Sequence, residues 1–269
     1  MLRFFENWLW PDAEGPKVFG WYHFLWLGIM IISCVVICVF VASKHKEKTD
    51  EKVVFGIGVI LLSLEFLKQV LSYLIRGYYN WSDFPFQFCS IPMYLAFCSK
   101  FIRNKIIKEA LYKFLASFGL LAGLAVMIYP LTVFHTQNMG ILIHTMMWHS
   151  LMVILGVYLI VSRRYGRNIK ELIHPSIVFV IIVVFALIAN LAAYHFYFKL
   201  EGISFNGEFN LFYVSPYYYN PIPILGEIKD NIWFPFFFII YLIAFFIGVI
   251  LLWGIIIGIR KIILLKKKK

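Results

Sequence analysis

Long apolar stretches separated by short polar and basic segments dominate the 269-residue chain. Seven of them approach or exceed the ~20 residues that cross ~30 Å of hydrocarbon as a helix. None shows the alternation of apolar and polar residues that a barrel strand has. Only helices and closed barrels satisfy their backbone hydrogen bonds within a membrane. The pattern predicts an all-α polytopic membrane protein with seven transmembrane helices, at about 21–42, 53–75, 86–102, 110–129, 140–161, 173–198 and 233–259.

The composition excludes a soluble globular protein. Hydrophobic residues make up 62% of the chain and charged residues only 14%, against about a quarter charged in soluble domains. The longest segment between predicted spans, residues 199–232, is too short for a soluble domain. We therefore expect one transmembrane helical domain over residues 1–269, in a multi-pass protein of the cell membrane.

The distribution of basic residues predicts the orientation. Of 25 Lys and Arg residues, 19 lie in the first, third and fifth loops and the C-terminal tail, and five lie on the opposite side. Short cytoplasmic loops carry such an excess of Lys and Arg. The N-terminus is therefore predicted outside and the C-terminus inside. Because topology accounts for the net charge of +11, we expect no nucleic-acid partner.

Polar side chains within the predicted spans are candidates for a functional site, because such groups are costly in lipid and usually face the bundle interior. With the predicted orientation they gather in the outer half of the bundle, and those in the second span recur at the spacing of one helical stripe. The candidates are Glu65, Lys68, Gln69, Gln87, Cys89, His144, His149, Asn190 and Tyr194.

Structural roles compete with functional ones for several of these residues. Glu65 and Lys68, three residues apart, also fit an ion pair that only orients its helix, and Asn190 fits a hydrogen bond between helices. His144 and His149 are about 140° apart around a helix and do not share a face as paired ligands do. We expect no metal ion and no cofactor.

Cys89 and a histidine form the most reactive pairing. A thiol near a helix N-terminus, with an imidazole within reach, can form a nucleophilic thiolate. Cys89 lies near the start of the third span, and His149 or His144 would act as the base. Gln69, Gln87 or Asn190 would then donate a hydrogen bond to the oxyanion. Glu65 and Lys68 would position a lipid head group or orient His149.

Three local motifs carry a resemblance to known membrane proteins. They are Phe84–Pro92 (FPFQFCSIP), His149–Leu151 with Tyr158 after the Tyr129–Pro130 turn, and the Asn190 and Tyr194 end of the sixth span. In these motifs, and in the number and order of its spans, the chain resembles the bacterial YwaF-like integral membrane proteins. That group is similar to the transmembrane protein 164 family.

The resemblance implies an acyl-transfer activity. Animal members of the transmembrane protein 164 family are described as acyltransferases that move fatty acyl chains between phospholipids. They are regarded as akin to the androgen-induced gene 1 type hydrolases of fatty acid esters. The resemblance implies a nucleophile at Cys89 and a histidine at His149. This sequence departs from the family pattern at Gln87, where a histidine is expected.

Three functions therefore remain open at the level of the sequence. The first is a lipid acyltransferase or acyl-ester hydrolase acting on membrane phospholipids or fatty-acyl lipids. The second is a small-solute transporter or permease with the polar layer as its binding site, and it would require polar residues through the inner halves of the spans. The third is a non-catalytic lipid-binding protein in which Cys89 is inert. The oligomeric state is not predicted.

Overall fold

The computed structural model describes residues 16–42, 46–130, 133–134, 139–198 and 208–266. Within these residues the regular structure is helical and no strand occurs, so the predicted all-α class is confirmed. The α-helices are α1 (Trp21–Phe40), α2 (Glu47–Arg76), α3 (Ile91–Cys98), α4 (Lys105–Phe114), α5 (Leu120–Ile128), α6 (Met139–Ser162), α7 (Ile173–Ala193), α8 (Leu225–Asn231) and α9 (Phe234–Lys266).

Six helical segments of the described chain are long and apolar enough to cross a membrane. One of them joins α4 to α5 through a π-helical turn at Leu115–Gly119, and α7 ends in a second π-helical turn at Tyr194–Phe198. Most edges of these segments lie within a few residues of the predicted spans. The six segments are Trp21–Phe40, Glu47–Leu74, Lys105–Ile128, Met139–Ser162, Ile169–Phe196 and Phe234–Ile262.

The predicted third span differs from the structure. We expected a helix over 86–102, but α3 has only 8 residues, which is about 12 Å. Two prolines explain why this helix starts later than predicted. Phe84 has a non-helical ψ of 125°, as steric clash with Pro85 favours. Pro92 lies in the first turn of α3, where its missing N–H costs nothing. The helix predicted over 86–102 is therefore shorter in the structure, and the seven-span count and the orientation stay predictions.

The described residues divide into two compact units. The first takes the described residues of Met1–Leu64 and Pro92–Tyr165, and the second takes those of Glu65–Ile91 and Gly166–Lys269. Helix α2 contributes its first half to the first unit and its last turns to the second. The prediction of a single domain stays a prediction.

The first unit is built on close helix packing around α6, which contacts both α1 and α5. A Cβ at Gly123 of α5 would lie 3.0 Å from the carbonyl oxygen of His149, and one at Gly156 of α6 would lie 2.7 Å from Cβ of Leu120. Glycines at these contacts let the helix backbones approach, as small residues do in membrane bundles. This packing fixes the part of α6 that carries His149.

A buried ionic cluster joins the first turn of α2 to the end of α6 in the same unit. The fully buried carboxylate of Asp50 accepts a hydrogen bond from the Tyr158 hydroxyl at 2.7 Å. Its Oδ2 lies 2.7 Å from Nε of Arg163, whose guanidinium lies 3.1 Å from Glu109. Glu109 also accepts a hydrogen bond from Tyr165. These partners offset the large cost of desolvating the charges.

The second unit has an aromatic core between α7, α9 and the turn before α3. The ring centroids of Phe88 and Phe245 are 4.8 Å apart, and those of Phe179 and Phe245 are 5.2 Å apart. Phe212, from the segment that follows α7, lies 5.9 Å from Phe88. The core therefore holds residues 86–90 against residues 210–213 within this unit.

Candidate functional site

The polar stripe on α2 is a connected hydrogen-bond network in the second unit. The Lys68 ammonium lies 2.8 Å from Oε1 of the buried Glu65. The Gln69 amide donates to the same oxygen at 2.6 Å and to the carbonyl oxygen of Asp83 at 2.6 Å. The Asp83 carboxylate accepts from Ser72 at 2.9 Å and pairs with Arg76. The predicted stripe therefore leads from a buried carboxylate to the turn that follows α2.

Cys89 lies in the turn immediately before α3 and is half-buried. Its thiol interacts electrostatically with Lys68 and Glu65, and a hydrogen bond joins it to Ser90. The phenol of Tyr213 interacts with Cys89 in the same way. In the second unit the predicted nucleophile therefore interacts electrostatically with the predicted Glu65–Lys68 pair and with a tyrosine.

Gln87 binds the backbone of the segment that follows α7. Its Nε2 donates to the carbonyl oxygen of Asn210 at 2.9 Å, and its Oε1 accepts from the backbone N–H of Phe212 at 2.9 Å. These atoms are more than 120 residues away along the chain. The amide two residues before Cys89 therefore fixes a distant segment beside it.

Asn190 binds the backbone of Leu211, the residue between Asn210 and Phe212. Its Nδ2 donates to the carbonyl oxygen of Leu211 at 3.0 Å, and its Oδ1 accepts from the backbone N–H of Leu211 at 2.8 Å. The Asn190 side chain is buried. Gln87 and Asn190 therefore each donate one hydrogen bond to the backbone of residues 210–212 and accept one from it. These bonds hold that backbone segment in position. The predicted part of both amides as oxyanion donors stays a prediction.

Residues Asn210–Asn220 form what we call the pinned loop. Phe212 and Tyr213 both adopt the left-handed backbone region, with φ of 56° and 55°, which costs free energy and persists only where surrounding contacts enforce it. The Tyr241 hydroxyl donates to the carbonyl oxygen of Phe212 at 2.8 Å, and Asn220 donates to that of Tyr213 at 3.0 Å. Side-chain hydrogen bonds therefore hold the strained pair in place.

Tyr194 contacts the far end of the pinned loop. Its ring stacks on that of Tyr217, with centroids 3.6 Å apart and planes 10° apart. The Tyr217 hydroxyl is hydrogen-bonded to Nε2 of the exposed His195 at 2.7 Å. Among the predicted site residues, Tyr194 therefore contacts the pinned loop at Tyr217.

The two candidate bases lie on α6 in the first unit. His149 is buried, and its Nδ1 lies 2.8 Å from the carbonyl oxygen of Thr145. A carbonyl only accepts hydrogen bonds, so Nδ1 carries the hydrogen and Nε2 is left as the basic nitrogen. Nε2 is buried and has no hydrogen-bond partner among the described residues. The ring of His144 lies 5.4 Å from that of Trp148.

Seven of the nine predicted site residues therefore belong to the second unit and two to the first. In the second unit Cys89 interacts electrostatically with Lys68 and Glu65, while Gln87 and Asn190 bind the backbone of the pinned loop. Because Cys89 and the histidines belong to different units, the Cys89–His149 pair stays a prediction. Within the described ranges, no group of three or more His, Cys, Asp or Glu side chains is placed to hold a metal ion.

Tyr213 and Tyr241 are not among the site residues predicted from the sequence. Tyr213 stands at the start of an aromatic run over 213–219 that is typical of a membrane-interface belt, yet its phenol interacts electrostatically with Cys89. Tyr241 is a fully buried residue of α9. The sequence feature that could have indicated this loop is the pair Asn210 and Asn220, because asparagine side chains hydrogen-bond to the backbone of tight turns.

The apolar helices and the polar residues gathered among them define a polytopic integral membrane protein. The model of the TMEM164 family matches residues 18–257, and the chain belongs to that family. Comparisons with curated proteins and with solved structures each found no match. The resemblance seen in the sequence is therefore confirmed for this family, and the likeness to YwaF-like proteins stays a prediction.

Proposed function

We propose that this protein is a lipid acyltransferase or acyl-ester hydrolase that uses Cys89 as nucleophile and His149 as general base. The observation that carries the proposal is the state of the His149 ring. Its Nδ1 is held by Thr145, and its basic Nε2 is buried and unbonded among the described residues. A general base needs this arrangement, with one nitrogen orienting the ring and the other available for a proton.

The proposed reaction has two halves. Nε2 of His149 takes the thiol proton of Cys89, and the thiolate attacks the carbonyl carbon of a phospholipid ester. The carbon–oxygen bond breaks, the leaving lysolipid oxygen takes the proton from the imidazolium, and an acyl-thioester remains on Cys89. In the second half a lysolipid hydroxyl or water attacks the thioester, its proton passes through His149 to the departing sulfur, and the thiol is restored.

The surroundings of Cys89 support a phospholipid as substrate. Lys68 carries a positive charge near the thiol, is only partly buried, and is held by Glu65. An ammonium in that position is suited to the phosphate of a head group. In the predicted orientation this site lies in the outer half of the bundle, so the substrate would come from the outer leaflet. The activity implied by the family resemblance is of the same class.

The proposal is tested by acyl exchange on the purified full-length protein in lipid nanodiscs. Labelled phosphatidylcholine and an unlabelled lysolipid are supplied, and transfer of the label is followed in wild type, Cys89→Ala, His149→Gln and Cys98→Ala. Cys98 is an exposed residue of α3, so Cys98→Ala is the matched control. We expect loss of exchange in the first two variants only. Full exchange by Cys89→Ala would exclude this thiol as the nucleophile.

A further inference from the structure

The pinned loop and the segment before Cys89 lie against each other through two kinds of contact. Gln87 makes hydrogen bonds to the backbone at Asn210 and Phe212. The ring of Phe212 also lies 6.1 Å from that of Phe86 and 5.9 Å from that of Phe88. The residue after Phe212 is Tyr213, so these contacts place Tyr213 opposite the turn that carries Cys89.

The backbone at Tyr213 is strained and specifically held. Phe212 and Tyr213 are consecutive residues in the left-handed region, which few bulky side chains adopt. Tyr241 and Asn220 bind the carbonyl oxygens of these two residues. Strain that side chains maintain beside a reactive group points to a functional requirement on the direction of a side chain, and here that side chain is the Tyr213 phenol.

The Tyr213 phenol is a hydrogen-bond donor at neutral pH. Tyr213 lies outside the six membrane-spanning helical segments. Burial raises the pKa of Tyr213 to about 12, and the adjacent Cys89 acts in the same direction. The hydroxyl therefore keeps its hydrogen at every pH at which a lipid enzyme works. A neutral donor in a partly dry site is the kind of group that stabilises a developing oxyanion.

We infer that Tyr213 is a further catalytic residue of the acyl-transfer site, and this inference rests on the function proposed above. When the Cys89 thiolate attacks the ester, the carbon–sulfur bond forms and the carbonyl electron pair moves onto oxygen. The Tyr213 hydroxyl donates a hydrogen bond to that oxygen without giving up its proton. The bond is released when the carbonyl re-forms and the lysolipid leaves. Gln87, Asn190 and Tyr241 are positioning residues that act through the pinned loop.

Two reactions of the same thiol test the inference on the full-length protein in nanodiscs. A p-nitrophenyl ester of a fatty acid acylates Cys89 through a tetrahedral oxyanion, whereas iodoacetamide alkylates it by direct displacement and forms none. Both rates are measured at Cys89 by peptide mass spectrometry in wild type, Tyr213→Phe and Tyr219→Phe. Tyr219 is a tyrosine of the same loop with an exposed side chain and is the matched control.

Tyr213→Phe should slow acylation by about 10²–10³-fold, the usual effect of losing one oxyanion donor, and leave alkylation unchanged. Tyr219→Phe should change neither rate. Wild-type rates of acylation in Tyr213→Phe would overturn the inference, and so would an equal fall in both reactions, because Tyr213 would then act on the thiol or on the fold. Failure of the proposed function is a separate result, in which wild-type Cys89 is alkylated but never acylated.

Discussion

Nδ1 of His149 lies 2.8 Å from the carbonyl oxygen of Thr145, one turn earlier on α6. This hydrogen bond fixes both the orientation of the ring and the nitrogen that holds the hydrogen. His23 in the same unit shows the reverse arrangement. Its Nδ1 accepts from the backbone N–H of Phe19 at 3.1 Å, and its Nε2 lies 2.7 Å from the carbonyl oxygen of Met127. One histidine keeps a basic nitrogen available, and the other has none.

The two histidines should therefore occupy opposite neutral tautomers. We expect His149 with its hydrogen on Nδ1 and His23 with its hydrogen on Nε2. Nitrogen-15 NMR of the histidine-labelled protein in lipid distinguishes the two tautomers, and His149→Gln and His23→Gln assign the signals. A hydrogen on Nε2 of His149 would contradict its role as a general base.

Asn190→Ala should destabilise the second unit much more than Asn231→Ala. The first substitution leaves the buried N–H and C=O of Leu211 without partners, and each such group costs about 1–3 kcal/mol. Asn231 also donates to a backbone carbonyl, that of Glu227, but it is exposed and water can replace it. Thermal unfolding in detergent compares the two variants. Equal shifts in melting temperature would show that the pinned loop does not depend on Asn190.

Gly123→Ala should weaken the packing of α5 on α6. The added methyl would lie 2.9 Å from Cγ2 of Val153 and 3.0 Å from the carbonyl oxygen of His149, and overpacking of this kind costs about 1–3 kcal/mol. Gly254→Ala on α9 is the matched control, because no atom lies within 4 Å of its new methyl. Unfolding of both variants in detergent measures the difference. A Gly123→Ala protein as stable as Gly254→Ala would contradict the close contact.

Arg163→Met should be among the most damaging single changes in the first unit. It leaves the fully buried Asp50 without its cationic partner, and breaking a buried pair in this way costs about 3–5 kcal/mol. Arg164→Met, at the exposed neighbouring residue, is the control and should change little. The double variant Arg163→Met with Asp50→Leu should recover part of the loss in unfolding experiments. No recovery would mean that the Asp50–Arg163 contact is not the cause.

The sequence predicted the long helices well because apolar length is set by the thickness of the membrane. It was less accurate over 86–102, where the helix spans only Ile91–Cys98 and Pro85 and Pro92 delay its start although the composition is just as apolar. It also found the Glu65–Gln69 stripe, since spacing along one helix determines which side chains meet.

The sequence could not show what Gln87 and Asn190 bind. Their partners are backbone atoms of Asn210–Phe212, and no helical period relates those residues to either amide. Tyr213 was also not predicted, because an aromatic run near a predicted membrane edge has the composition of the aromatic belt at a membrane–water interface. Its interaction with Cys89 depends on a left-handed turn, which the sequence Phe212–Tyr213 does not indicate.

Direct trapping tests whether an acyl-thioester forms on Cys89. The wild-type protein in nanodiscs is incubated with labelled phosphatidylcholine, quenched in acid, digested, and searched for an acylated Cys89 peptide by mass spectrometry. We expect the label on Cys89, its release by neutral hydroxylamine, and a loss of about 10²–10⁴-fold in His149→Gln. Turnover of phospholipid by the wild type with no acylated Cys89, and unchanged turnover by Cys89→Ala, would show that Cys89 is not the nucleophile.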